Sequence, residues 1–573
     1  MKKRTTLMSA AAVVSLSALL AGCSGGIGAD AAARHDSIPN GGTMVQTFPT
    51  TFGTNLIPFM DASAYTATAV GYSFDSILQF NRNAVLEGDL VDKWSYSPDR
   101  TTIYFWLNPK ARWSNGLYVT SKDVELGVDW LASKSYNTTY QGEYGYLVAN
   151  IKGVPASGYL PDGQTPSGFK ILGPREFSIS MNQPDAAVLP SQWSGITPLP
   201  WYVLGNLPMS QWKSSAFNKM PNIGSGPYIM KGLVPGQSIT QVANPYYVFG
   251  KPHIETNIWK VVSADVVTGQ LASGQVTIAG IQAKDYKKMV ALPNISVDVT
   301  PSNGFSYLGW RLNNSVYGKE FSNVKFRQAV EYAIDRNALV QAIDKGFGKP
   351  ENGPLPPING WYNPALNGTY AYSPAMANKL LDEAGFKIVN GWRTTPGGRP
   401  FAPTITISSG DTQIAVEANF LKQYLNAVHI NVKISAPINF NTILNELDND
   451  ANGKQNIQGF FLAWSLSTDP DPRGLWRSTD NLNLTTIDWS NKKDPAIVEN
   501  DKLIHLQHTA AAFDYSYRKN ILDQWQVLLN QQLPENFLTM DDGLTAYNKS
   551  LHGVVFSPYG LLHPYEWYLT PSN

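Results

Sequence analysis

From residue 43 to about residue 310, apolar positions fall in short runs broken by turn residues. Residues 101–107, Thr-Thr-Ile-Tyr-Phe-Trp-Leu, combine β-branched and aromatic side chains suited to a pleated surface and predict a strand. Asn115-Gly116 signals a turn, and residues 121–134, opened by Ser121-Lys122-Asp123-Val124, predict an amphipathic helix. Residues 153–168 are rich in Gly, Pro and Ser and predict an exposed loop. Six prolines between 184 and 221 leave no regular period, which predicts an irregular edge.

Beyond Phe305 the period lengthens to that of helices. Phe326, Val330, Ala333 and Ile334 fall on one helical face, with Ser322 as the expected cap. Asp335 is placed to cap a second helix over 336–345, stopped by Gly346. Ser373-Pro374 opens a third, closed by Gly385. Residues 404–408 read as a strand, 412–428 as a helix and 430–434 as a second strand, a βαβ unit. Residues 496–533 predict two helices, with Asp514 capping the second and Pro534 just past its end. An α/β segment after a β-rich region predicts at least two lobes, and ligands favour the crevice between such lobes.

At about 150 residues per domain, 573 residues predict two to four domains with ample core. The 44 basic residues match 44 acidic ones, which argues against the basic footprint of a nucleic-acid binder. Only 15% of residues are charged while 12% are aromatic, so Trp and Tyr side chains are available to line a pocket. The single cysteine excludes an internal disulfide and a cysteine-cluster metal site.

Catalytic signatures are missing. There is no phosphate-binding G-x-x-x-x-G-K-[ST] loop, G-x-S-x-G elbow, H-E-x-x-H helix or EF-hand loop. His505 and His508 share a predicted helix face, but two ligands without a third favour a structural or surface role. Asp541-Asp542 reads as a turn or surface pair, and Asp469 with Asp471 as a second carboxylate pair in a proline-rich turn; neighbours in sequence do not define a glycosidase geometry.

The lone cysteine gains meaning from its position. Lys2, Lys3 and Arg4 precede a charge-free apolar run over 7–20, too short to span a ~30 Å hydrocarbon layer. Leu20-Ala21-Gly22-Cys23 resembles the bacterial lipobox, which implies a signal peptide over 1–22, acylation of Cys23, and export with anchoring at the outer face of the cell membrane. Residues 23–42 would form a flexible tether. Removal of the leader leaves 41 basic against 44 acidic residues, a net charge of −3. No later stretch reaches 18 apolar residues.

Four segments, in order, resemble the extracellular solute-binding protein family 5 of ABC importers, which includes dipeptide- and oligopeptide-binding proteins. They are Leu90-Val91-Asp92-Lys93-Trp94 through Trp113-Ser114-Asn115-Gly116 and Asp123-Val124; Gly224-Ser225-Gly226-Pro227-Tyr228 with Asn244-Pro245-Tyr246-Tyr247; Asn323 through Asp335-Arg336; and Tyr372-Ser373-Pro374 through Ala384-Gly385. The resemblance covers roughly 43–573. It implies an α/β fold like the class II periplasmic binding proteins, with two α/β lobes, a hinge and an extra β-rich subdomain. Lobe I would comprise 43–72, 205–304 and 545–573, the subdomain 73–204, and lobe II 305–544. The implied activity is binding rather than catalysis, without cofactor or metal. A monomer would capture a peptide in the interlobe cleft and deliver it to permease subunits in the membrane. A nickel chelate, an oligosaccharide or another amine-free solute is the alternative ligand, and a secreted hydrolase the rival class.

One departure bears on the ligand. In peptide-binding members a lobe II Trp is followed three residues later by an Asp that pairs with the ligand's α-amino group. Here Trp464 is followed by Ser467, and the next acid is Asp469. Either Asp469 takes the amine, or a free amino terminus is not selected, because a buried ammonium needs an anion. Trp464, Ser467, Asp469, Trp310 and Tyr547 are the candidate cleft residues. Arg327, in the third motif, is expected to be structural within its lobe.

Overall fold

The computed structural model describes residues 38–61, 63–140, 142–448, 457–478 and 494–571. The expected leader, Cys23 and most of the tether lie outside the described residues. Among those described, no helix is long and apolar enough to cross a membrane.

Four main sheets organise the chain. The first runs Thr43–Phe48, Thr256–Val261, Ser238–Ala243, Tyr228–Val234, its first pair parallel and the rest antiparallel. The second is antiparallel throughout and runs Val91–Tyr96, Thr102–Leu107, Glu176–Ser180, Phe169–Gly173. In Thr102–Leu107 the alternation predicted from sequence is obeyed: Ile103, Phe105 and Leu107 point inward. Both sheets share one core, which extends from Phe48 through Trp113, Trp130 and Trp193 to Trp259.

The third sheet is mixed, in the order Lys433–Ile434, Thr404–Thr406, Gly459–Ser465, Gly304–Trp310, Glu535–Phe537. Helices cover both of its faces, so Gly304–Trp310 is buried along its whole length. Trp310 lies across Gly459, where an added Cβ would come within 2.8 Å of the indole, so only glycine fits there. The fourth sheet places Thr539–Asn548 between Ile278–Gly280 and Ile295–Pro301.

The chain passes between the fourth and third sheets twice, at 302–303 and at Leu538. These passages are bonded to one another: the Leu538 N–H donates to the Ser306 carbonyl at 3.0 Å, and the Ser306 and Thr539 hydroxyls meet at 2.8 Å.

Local signals held where a single side chain decides the outcome. Asp335, Ser373 and Asp514 cap their helices through the N–H groups of Ala338, Met376 and Tyr517. The helix Val324–Ala333 is capped by Asn323 instead of Ser322, whose hydroxyl is committed to the Leu312 carbonyl at 2.9 Å. The helix from Arg336 ends at Ala342, three residues short of expectation, as the chain turns through Lys345 and Gly346 at positive φ. The βαβ unit is present as Thr404–Thr406, Thr412–Ala427 and Lys433–Ile434, with shorter strands than predicted. Asp541 and Asp542 lie within a strand instead of a turn, with Asp541 at the surface and Asp542 half-buried. Arg327 is buried and donates to the carbonyls of Gln532 and Phe321, a structural role within its own layer.

Candidate functional site

A cavity of about 250 Å³ opens between the two halves of the molecule. One wall comes from residues 55–89, 144–147 and 190–197, which belong to the first two sheets and their connections; the other comes from 354–355, 464–476 and Trp525 around the third sheet. Its lining mixes aromatic and aliphatic side chains with a few acids, the usual make-up of a solute pocket.

On the third-sheet side, Trp464 sits near the end of Gly459–Ser465, opposite Phe305. Its indole stacks on Tyr307 at 5.7 Å with 8° between planes. Its Nε1–H donates to both oxygens of buried Glu535, at 3.1 and 3.2 Å. Burial pushes the Glu535 carboxyl up to about 8, with the indole hydrogen bond acting the other way. The loop beyond Trp464 is clamped by Asn303, whose amide donates to the carbonyls of Leu466 and Ser467. Ser467 turns its hydroxyl onto the Asp469 carbonyl at 2.7 Å.

Asp469 lines the cavity, but its carboxylate already has a cation. Arg518, from the helix Tyr515–Gln532, grips it in bidentate fashion at 2.6 and 2.7 Å, with both side chains about 95% buried. The same guanidinium lies 4.7 Å from the centre of the Trp361 ring. Asp469 therefore presents lone pairs to the cavity and little uncompensated charge.

Trp464, Ser467 and Asp469 are thus brought together, whereas Trp310 and Tyr547 lie apart from the cavity. Trp310 is fully buried against Phe321 and Phe326, its N–H on Asn536 at 3.1 Å. Tyr547 stands in the fourth sheet against Phe556. The reason is register: Trp310 takes the opposite face of the third sheet from Phe305 and Tyr307, towards the helix layer instead of the crevice.

Two features of this region bring together residues whose pairing carries no sequence signal. The first is an ionic bridge across the crevice. Asp185, in the turn after the second sheet, accepts from Arg473 at 3.4 Å and lies 3.0 Å from His508 Nδ1. The His508 Nε2 reaches Asp471 at 3.0 Å, and Asp471 also binds Arg473 at 2.8 Å. Burial alone would raise both acids; the positive charge of Arg473 and the contacts with His508 outweigh it, holding Asp185 low and Asp471 well below the usual carboxylate range. His508 thus has a structural place. No group of three or more His, Cys, Asp or Glu side chains among the described residues is arranged to hold a metal ion.

The second is a pair of acids in the opposite wall, Asp75 and Asp89. The Gly224-Ser225-Gly226 motif packs against this stretch: a Cβ on Gly224 would fall 2.0 Å from the Ser73 carbonyl, and the Asp75 N–H donates to the Ser225 hydroxyl at 3.0 Å. The motif therefore fixes the backbone that carries Asp75.

A ligand-sized cavity between two sheet-based halves, joined by paired chain passages, defines a solute-binding protein of the two-lobed α/β class. The family model for bacterial extracellular solute-binding proteins, family 5 (middle), matches residues 85–485, and the chain belongs to that family. It is a family of solute binders, which sets the hydrolase alternative aside. The chain is 24% identical over 556 residues to the oligopeptide-binding protein AppA of Bacillus subtilis (strain 168), covering 95% of this chain and 96% of the relative. It is 24% identical over 498 residues to the oligopeptide-binding protein OppA of Lactococcus lactis subsp. lactis (strain IL1403), covering 82% and 79%. In fold it is similar to AppA from Bacillus subtilis in complex with a nonapeptide, with a TM-score of 0.80, 21% identity and coverage of 93% and 100%. It is also similar to NikZ from Campylobacter jejuni in complex with Ni(L-His), with a TM-score of 0.75, 21% identity and coverage of 92% and 99%.

Proposed function

We propose that this protein is the peptide receptor of an ABC importer, anchored through Cys23 to the outer face of the cell membrane and acting as a monomer. It captures its ligand between lobe I (43–72, 205–304 and 545–573, with the subdomain 73–204) and lobe II (305–544), and delivers it to the permease. The observation that carries this reading is the cavity walled from both halves of the molecule. Such a site binds its ligand best when the halves are together, so ligand shifts the protein towards the closed form by differential contacts. A micromolar ligand brings about 8 kcal/mol, ample for that shift. Peptide as the ligand is supported by the naming of AppA and OppA as oligopeptide-binding proteins. Trp464, Ser467 and Asp469 form the lobe II contact surface.

Native mass spectrometry of the mature domain, made without Cys23, tests the reading. A heterogeneous set of short co-purified peptides is expected; sugars or metal complexes alone would sink it.

The Asp185 bridge gives closure an ionic component. Asp185→Asn leaves Arg473 and His508 facing a neutral amide and is expected to weaken the closed form by about 2–5 kcal/mol. Ligand-free D185N should show a larger radius of gyration in small-angle scattering than the wild type. An identical scattering curve would remove the bridge from the closure equilibrium.

A further inference from the structure

The acids that line the cavity can be sorted by what already satisfies them. Asp469 holds Arg518, Asp471 holds Arg473 and His508, and Asp61 accepts from the Ser63 N–H. Asp75 and Asp89 differ. Each is more than 90% buried; the two carboxyls hydrogen-bond to each other, and beyond that contact Asp75 Oδ2 and Asp89 Oδ1 have no donor. No lysine, arginine or histidine among the described residues is paired with either. Burial, and for Asp75 the neighbouring charge of Asp89, pushes both carboxyls well above the usual carboxylate range. By themselves such groups keep their protons and stay neutral, while a positive charge brought to the pair would favour the ionised form and be met by an anion.

The surroundings narrow the choice. Phe74, Leu78 and Phe80 line the cavity beside the pair, so the arriving charge can have an apolar neighbourhood for its stem. A hydrated metal ion would find carboxylates only, and no metal-holding group is assembled there. Across the cavity, Asp469 is neutralised by Arg518 and competes poorly for the same charge.

We infer that Asp75 and Asp89 together form the subsite for a cationic nitrogen of the bound peptide, either its terminal ammonium or the ammonium or guanidinium of a basic side chain. The inference rests on the peptide reading above and moves the anchoring charge from lobe II to the opposite wall.

Titration calorimetry on the mature protein separates the possibilities with three probes: tetraalanine, N-acetyl-tetraalanine, and N-acetyl-tetraalanine with lysine in second place. The wild type should bind one or both cationic probes about 10- to 100-fold tighter than the acetylated neutral one, as expected for a charge-assisted hydrogen bond. The terminal and side-chain sources are told apart by which probe gains. In the isosteric D75N/D89N variant that preference should vanish, each protein's own affinity for N-acetyl-tetraalanine serving as the reference. If the double variant melts early in circular dichroism, D75N and D89N taken singly read the same preference. A cationic preference that survives D75N/D89N overturns the assignment. Equal binding of all three probes by the wild type overturns it while leaving the peptide reading intact; binding of none overturns both.

Discussion

Arg518→Met is expected to destabilise the protein by about 3–5 kcal/mol, the cost of leaving a buried carboxylate without its cation. The wild-type contact is bidentate and almost dry, with side-chain exposures of 6% and 5%, so solvent screens it little. Methionine replaces the aliphatic stem but not the guanidinium over Trp361, so a smaller cation–π loss adds to the electrostatic one. The decisive comparison is the double variant D469L/R518M. Removing both charges should recover most of the loss, since paired buried ions are often close to neutral against apolar replacements. Urea midpoints for the four proteins give the coupling directly. If R518M alone matches the wild type, the buried Arg518–Asp469 pair does not hold the fold together.

What could be read in the sequence, and what could not, follows the range of the interaction. Asp335, Ser373 and Asp514 act within three residues of themselves, and each was legible as a cap. The strand Thr102–Leu107 was legible because its period of two is written in consecutive residues. Trp310 and Trp464 read alike, as tryptophans near strand ends, yet one lies opposite Gly459 in the helix-covered layer and the other opposite Phe305 beside the cavity. Pairing register decides between them, and register is a long-range property. The same holds for charge. Asp469 stood out by its place after Trp464, but the Arg518 that neutralises it is 49 residues away on a helix whose sequence gives no sign of the partner. Asp185 and His508 are separated by 323 residues. Asp75 and Asp89 come close because the hairpin Leu78–Phe80 with Leu86–Gly88 folds back between them, a pairing that nothing in the adjoining sequence marks.

Glu535→Gln should abolish the pH dependence that this one residue imposes. The folded protein keeps the Glu535 proton up to about pH 8, whereas the unfolded chain gives it up near 4.5. The folded state is therefore favoured by protonation. That contribution is complete below about pH 4.5 and is lost as pH rises to 8, at up to about 1.4 kcal/mol per pH unit. Glu351 and Glu331, buried in the same part of the molecule and pushed up to about 8 and about 7, add slopes of the same sign. Glutamine has the same shape, still accepts the Trp464 N–H through its carbonyl, and cannot ionise. E535Q should match the wild type within about 1 kcal/mol at pH 5 and exceed it by about 2–4 kcal/mol at pH 8. Urea unfolding at the two pH values measures the difference. Parallel pH profiles for the two proteins would mean that Glu535 ionises in the folded state as readily as in water, and that Trp464 rests on a charged carboxylate instead of a neutral one.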